Sequence, residues 1–463
     1  MKKLIYIFLL SGMMVSCSKE FTDLPPYDAL PRETAIVDES SMQSVLAGVY
    51  RAAISPSLFG RAVPVIGDLY ADNTYISPIN SNRYTGAFQY NYTVAATDVS
   101  GMWAAAYVTI LRANNVINAD IGTSANINQL RGEALTLRAL TYHALIQYFA
   151  EPYTSDPNAP GVPIITSYDP FNQPERSTVQ EVYDLIESDL TEAFDLMTIN
   201  KNSGFVNKYA AKALLARVHL TQGEWQQARD AAVDVINNGG YTLLSESNFN
   251  SYWNSGAIRT DKLETIFELN LDAVVNNSSN SLAYMYDQIG YGDILASDDL
   301  YNTYSASDVR RTLIIEGVRS GLDVKVVNKY PNEANSDKDN IKIIRLSEVV
   351  LIAAETSYRL NDEVAARDYL NMIASRRGIA DYTSSGTELL EDIIEERRLE
   401  LAFEGMRYLD LQRLNRDVVR VNLNANYPST VPLVIPFSSH KRIFPIPQTE
   451  LDANPNIDQN DGY

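Results

Sequence analysis

Tyr209 to Asn238 reads YAAKALLARVHLTQGEWQQARDAAVDVINN. Its first half is an Ala- and Leu-rich run at helical spacing. Thr221-Gln222-Gly223-Glu224 interrupts it, and a second helical run follows. Glycine supplies the backbone freedom of a tight turn, and small Ala228 lets two helix axes come close. The stretch is therefore a helical hairpin, which makes helix-on-helix packing the organising principle of the chain.

Gly223, Trp225 and Ala228 match the turn glycine, aromatic and small residue of a tetratricopeptide (TPR) repeat. A weaker copy occupies residues 343–377, with Asn361 at the turn and Ala366 at the small position. Either one alone is a generic hairpin; together they indicate a mainly α, TPR-like scaffold. Other helical stripes agree. Met42, Val45, Leu46 and Val49 mark a helix over 38–51 with Ser40 or Ser41 as cap. Trp103, Tyr107, Ile110, Asn114 and Ile117 mark another, and 129–149 a third. Ser177 or Thr178 can cap a helix burying Val182, Leu185, Ile186 and Leu190. The last helix starts at Thr387 as cap, runs to Phe403 and closes at Gly405.

Two long insertions break this regularity. Residues 55–100 and 241–340 are rich in Gly, Asn, Ser, Asp and Tyr and poor in helical period. Loops this long inside a compact body are usually functional.

The amino terminus carries a different signal. Lys2 and Lys3, an apolar run from Leu4 to Leu10 and small residues up to Cys17 form a secretory leader over residues 1–16. Val15-Ser16-Cys17 resembles a bacterial lipobox, which implies cleavage before Cys17, acylation with palmitate-like chains and a membrane anchor that does not span the bilayer. Residues 17–35, with Pro25, Pro26 and Pro31, read as an extended tether, and 36–463 as the globular body.

Composition excludes several function classes. The 463 residues carry a formal charge of −20, which becomes −22 once Lys2 and Lys3 leave with the leader. So acidic a body repels polyanions, and nucleic acid is not an expected partner. With one cysteine there is no internal disulfide. His143, His219 and His440 lie far apart and outside any close-spaced ligand motif, so neither a metal nor another cofactor is expected. The chain holds 29 tyrosines against 3 tryptophans, and tyrosine joins an apolar face to a hydroxyl, which suits wet binding surfaces.

Glu395 to Arg413, EERRLELAFEGMRYLDLQR, and the tail FPIPQTELDANPNIDQNDGY resemble the carboxyl-terminal signature of the SusD/RagB family. The lipobox, the Trp103/Tyr107/Asn114 helix and the TPR-like hairpins extend the resemblance over the mature chain. It implies a lipid-anchored, surface-facing outer-membrane protein that binds an oligosaccharide, or in some members a peptide. It also implies a SusC-type TonB-dependent transporter as partner, and a ligand face built from the two insertions. On that face Tyr75, Asn82, Arg83 and Tyr84 from the first insertion, and Tyr284, Tyr286 and Tyr291 from the second, are the expected ligand residues. The tyrosines would stack on sugar rings, while Asn82 and Arg83 would donate hydrogen bonds. Tyr301 and Tyr304, just before Asp308-Val309-Arg310-Arg311, read as scaffold. The first insertion has no tryptophan, which argues against a broad stacking arc for starch.

Within the signature, Glu396, Glu400 and Glu404 share one helix side, and Arg397 and Arg398 can pair with them or with neighbouring elements. That is an ion-pair lattice more than a glycosidase dyad, and no catalytic residue is assigned. The rival readings are peptide capture, a glycoside hydrolase using Asp298 and Asp299 or Asp68 and Asp72, and a TPR scaffold that meets only proteins.

Overall fold

The computed structural model describes residues 35–336, 338–421, 429 and 431–463. The leader 1–16, Cys17 and the 17–35 tether except its last residue lie outside them. The body is built from helices α1 (Glu39–Ala53), α2 (Ala62–Leu69), α3 (Thr97–Ile117), α4 (Ala125–Phe149), α5 (Val179–Leu196), α6 (Lys208–Gln222), α7 (Trp225–Asn238), α8 (Leu346–Arg359), α9 (Glu363–Arg377), α10 (Thr387–Glu400) and α11 (Arg407–Arg413). Each of α3 to α7 packs on the next, and the α8–α9 pair continues the row from α7. No helix among the described residues is long and apolar enough to cross a membrane.

Local chemistry sets the helix boundaries. Gly223 turns α6 into α7 at φ 82°, and Asn361 turns α8 into α9 at φ 64°. Ala228 and Ala366 are fully buried where the paired helices meet. Asp38, and neither Ser40 nor Ser41, caps α1, because its carboxylate accepts from Ser41 N–H at 2.8 Å. Thr178 caps α5 in a reciprocal box with Glu181. Gly386 takes the cap of α10 in place of Thr387, with φ 60° and its N–H directed to Glu363.

The Trp103 helix, α3, holds the proline-rich excursion and the tail. Tyr107 and Asn114 donate to the carbonyls of Pro163 and Ile165 at 2.8 Å each, and Trp103 Nε1 donates to Glu450 at 3.0 Å. Stripe residues that look like simple core positions are thus also clamps on the proline-rich excursion and on the short helix Gln448–Ala453 of the tail.

The insertions contain strands, and two of them are only three residues long, too short for alternation to reveal. Strands β1 (Thr74–Ile76), β3 (Ile294–Ala296), β4 (Ile314–Arg319) and β5 (Leu322–Val327) form an antiparallel sheet in the order β1-β3-β5-β4, while β2 (Thr265–Leu269) pairs with β6 (Ile341–Arg345). β1 comes from the first insertion and β3 from the second. One ladder therefore joins the two.

Behind the sheet lies a buried ion lattice. Glu400 accepts from Arg377, Arg345 and Arg310 at 2.9, 2.9 and 3.2 Å. Glu396 accepts from Arg310 at 2.5 Å, and Glu404 from Lys329 and Arg345 at 2.7 and 2.6 Å. Neighbouring elements supply these partners of Glu396, Glu400 and Glu404, while Arg397 pairs with Asp410 at 3.2 Å and Arg398 with Asp299 at 2.9 Å. Burial alone would raise the Glu400 carboxyl, but Arg377, Arg345 and Arg310 outweigh it and hold the group well below the usual carboxylate range.

Candidate functional site

The β1–β3 ladder pairs Thr74 with Ala296, Tyr75 with Leu295 and Ile76 with Ile294. It continues as Ser77 N–H donating to the Asp293 carbonyl at 2.9 Å. Loop 77–84 is thereby laid beside the turn 284–293, and polar contacts lock the two together. Ser81 donates to the Asp293 carboxylate through both its backbone N–H and its hydroxyl. Tyr291 N–H closes the second turn on the Tyr284 carbonyl at 2.9 Å. That turn needs Gly290, because a Cβ there would come 2.6 Å from the Tyr284 carbonyl oxygen.

Arg319, at the end of β4, bridges both loops. Its guanidinium donates to the Ile79 carbonyl at 2.8 Å, the Tyr291 carbonyl at 3.1 Å and the Gln288 side chain at 3.1 Å. Sequence reasoning missed it, since an arginine ending a short strand carries no motif.

Four of the seven expected ligand residues meet at this seam. Arg83 lies over Tyr291, its Cζ 3.7 Å from the ring centroid, and donates to the Tyr291 hydroxyl at 2.7 Å. Tyr284 meets Tyr291 edge-to-face with centroids 4.9 Å apart. All three are half-buried, and Asn82 beside them is exposed. Ile79 and Ile289, 62% and 82% exposed, add apolar surface on the same two loops. Aromatic edges, a guanidinium and amide donors form a surface that can meet both the C–H face and the hydroxyl rim of a sugar.

The other three expected residues belong to the interior and need correction. Tyr75 sits on a strand buried on both faces. Tyr84 is buried with its hydroxyl accepting from Arg61 Nε at 2.8 Å, and burial pushes its phenol up. Tyr286 stacks on Tyr330, 6.0 Å between centroids. In a tyrosine-rich insertion, composition could not separate the rings that pack the sheet to the scaffold from those that face water. Tyr304 is buried and donates to the Leu399 carbonyl at 2.8 Å.

Three of the four carboxylates of the hydrolase reading, Asp68, Asp72 and Asp299, are tied into the scaffold. Asp68 is fully buried, accepting from Asn73 at 2.7 Å and Gly405 N–H at 2.8 Å, and burial pushes it up to about 6. Asp72 pairs with Arg407 at 2.8 Å; burial opposes ionisation, but Arg407 and Arg398 win and hold it at about 2. Asp299 pairs with Arg398 at 2.9 Å, and Asp298 opens the same short helix. Two small hollows among the described residues are lined by residues other than these carboxylates. One beside His143, Arg217 and Glu404 measures about 50 Å³, and another under Arg176 and His440 about 130 Å³. Both fall below the ~300 Å³ at which ligand pockets usually begin.

Comparison with known proteins places this geometry. Residues 301–463 match the family described as "SusD family", and residues 20–220 match "Starch-binding associating with outer membrane". A SusD superfamily protein of Bacteroides thetaiotaomicron is 32% identical, with a TM-score of 0.83 over 92% of this chain and 100% of that one. The chain belongs to the SusD/RagB family. Its relatives include a solved structure from Bacteroides vulgatus described as a putative sugar binding protein, 30% identical, TM-score 0.84, covering 93% of this chain and 100% of that one. SusD-like protein P2 of Formosa agariphila is 25% identical over 520 residues, spanning 100% of this chain and 99% of its own. Within this SusD/RagB member the signature helix grips both sides of the seam: Arg398 Nε donates to Asn73 at 2.9 Å, just before β1, and Arg398 pairs with Asp299, just after β3.

Proposed function

We propose that this SusD/RagB protein captures oligosaccharides at the Arg83–Tyr284–Tyr291 seam and passes them, without bond cleavage, to a SusC-like TonB-dependent transporter. The single observation that carries the reading is the convergence of an arginine, two half-buried tyrosines and an exposed asparagine from two distant insertions. The sugar-binding description of the Bacteroides vulgatus relative supports the ligand class. An acyl chain on Cys17 holds the body at the outer membrane, facing outward, and the proline-bearing segment after it serves as a leash beside the transporter. Asp68, Asp72 and Asp299 of the hydrolase reading are engaged by Asn73, Gly405, Arg407 and Arg398, which suits scaffold duty.

The test is calorimetric titration of the full chain against a panel of oligosaccharides and peptides. Glycan binding should weaken about tenfold in Tyr291→Ala and in Arg83→Ala, the loss expected of one stacking or charge-assisted contact. Binding of peptides alone would overturn the glycan assignment. A Cys17→Ala chain should stay folded and ligand-competent but no longer support uptake.

A further inference from the structure

Away from the seam, the turn of the first TPR-like hairpin gathers groups that the spacing of the histidines in sequence does not suggest. His219, in the last turn of α6, points Nδ1 at Glu224 Oε2, 2.8 Å away, across the Gly223 turn. Glu187 of α5 brings its Oε2 to 3.9 Å from the same nitrogen. The three donor atoms lie within 4.8 Å of one another. In a tetrahedral zinc site with bonds of about 2.05 Å, donors stand about 3.3 Å apart, so 2.8 and 3.9 Å bracket the required edge. Small rotamer shifts would close the remainder.

Three further features fit a cation. Two carboxylates with a neutral imidazole balance the charge of a divalent ion, and an imidazole–carboxylate set suits zinc above calcium, which wants six to eight oxygens. Gln222 Nε2 donates to the other oxygen of Glu187 at 2.8 Å, the outer contact that orients a ligating carboxylate. The same amide, in a residue only 6% exposed, leaves Oε1 buried with no hydrogen-bond partner. Amide geometry keeps that oxygen within about 5 Å of Glu187, where a metal-bound water would supply the missing donor.

We propose that Glu187, His219 and Glu224 form a zinc-binding site, with water as fourth ligand and Gln222 as its outer support, clamping α5 to the α6–α7 turn. The ligands escape sequence inspection because one comes from a separate helix and the other two straddle a turn.

The experiment uses the full chain purified without an affinity tag and stripped with chelator. Zinc is titrated against a competing fluorescent chelator, and thermal unfolding is followed with and without the ion. One equivalent should bind and raise the unfolding midpoint. His219→Ala should weaken binding at least a hundredfold, and Gln222→Leu about ten- to a hundredfold. Glu187→Gln is the conservative check if His219→Ala fails to fold, and His440→Ala should change nothing. The proposal is overturned if the chain binds no zinc at about 100 µM. Zinc binding unchanged in His219→Ala and Glu187→Gln, or calcium binding in preference to zinc, would also overturn it.

Discussion

Replacing Glu400 by Gln should cost this protein about 3–5 kcal/mol of stability, the range for breaking a buried ion pair by removing one partner. The carboxylate is 1% exposed and takes hydrogen bonds from Arg377, Arg345 and Arg310. Glutamine preserves its shape but supplies one acceptor oxygen in place of two. Its amide N–H groups must then face guanidinium N–H groups, so at least one attraction becomes a repulsion. Against this stands the relief of the carboxylate's own desolvation, which alone would favour the neutral side chain. The depressed carboxyl shows that the three arginines outweigh that term, so losing the charge is a net loss. Equilibrium urea unfolding, read by the fluorescence of Trp253 beneath Arg345 and Lys329, measures it. The sign with pH is fixed as well. A carboxylate whose folded pKa is depressed contributes stability above its ordinary range and loses it as pH falls through the folded pKa, so wild type and variant should converge in acid. A loss under about 1 kcal/mol at neutral pH would refute the electrostatic account and leave the lattice as packing alone.

The Asp72–Arg407 pair should contribute about 2 kcal/mol that fades as pH falls from about 4 to about 2, and Asp72→Asn should flatten that part of the stability profile. Tyr286→Phe should be neutral or stabilising by up to about 1 kcal/mol, because its buried hydroxyl has no partner, whereas Tyr304→Phe should lose about 1 kcal/mol with its bond to the Leu399 carbonyl; paired denaturation curves compare them. Gly67→Ala should fail to give soluble folded protein on expression, since its Cβ would sit 1.9 Å from the Gly405 carbonyl oxygen, backbone that cannot step aside. Arg319→Ala should weaken glycan binding in the calorimeter while its far-ultraviolet circular dichroism stays that of wild type, because it ties together the loops that carry Arg83 and Tyr291.

Sequence conveyed the scaffold well and the site only in part, and the difference is physical. Helical hairpins announce themselves through a local period, a turn residue such as Gly223 or Asn361 and a small residue such as Ala228. The seam is non-local: β1 and β3 lie over two hundred positions apart and are three residues long, so no window contains their pairing. Residue type pointed to Arg83, Tyr284 and Tyr291, but the same reasoning also selected Tyr75, Tyr84 and Tyr286, whose burial is decided by tertiary contacts with Arg61, Tyr330 and the sheet. The ion lattice was legible as carboxylates on one helix side, while its cations come from β6, α9, the 308–313 segment and Lys329 after β5, and could not be assigned.

The lattice and the seam are one arrangement. Arg398 of the signature helix holds Asn73 and Asp299, the residues that flank β1 and β3, and Arg407 holds Asp72. Gly405, between α10 and α11, lies against Gly67 of α2 and donates its N–H to Asp68. Both insertions are therefore fastened at their roots to the buried side of the signature segment, while their tips are joined by Arg319, by Ser81 on Asp293 and by Arg83 on Tyr291. The signature residues thus act on the proposed ligand face indirectly, through the strand roots they hold at Asp72, Asn73 and Asp299.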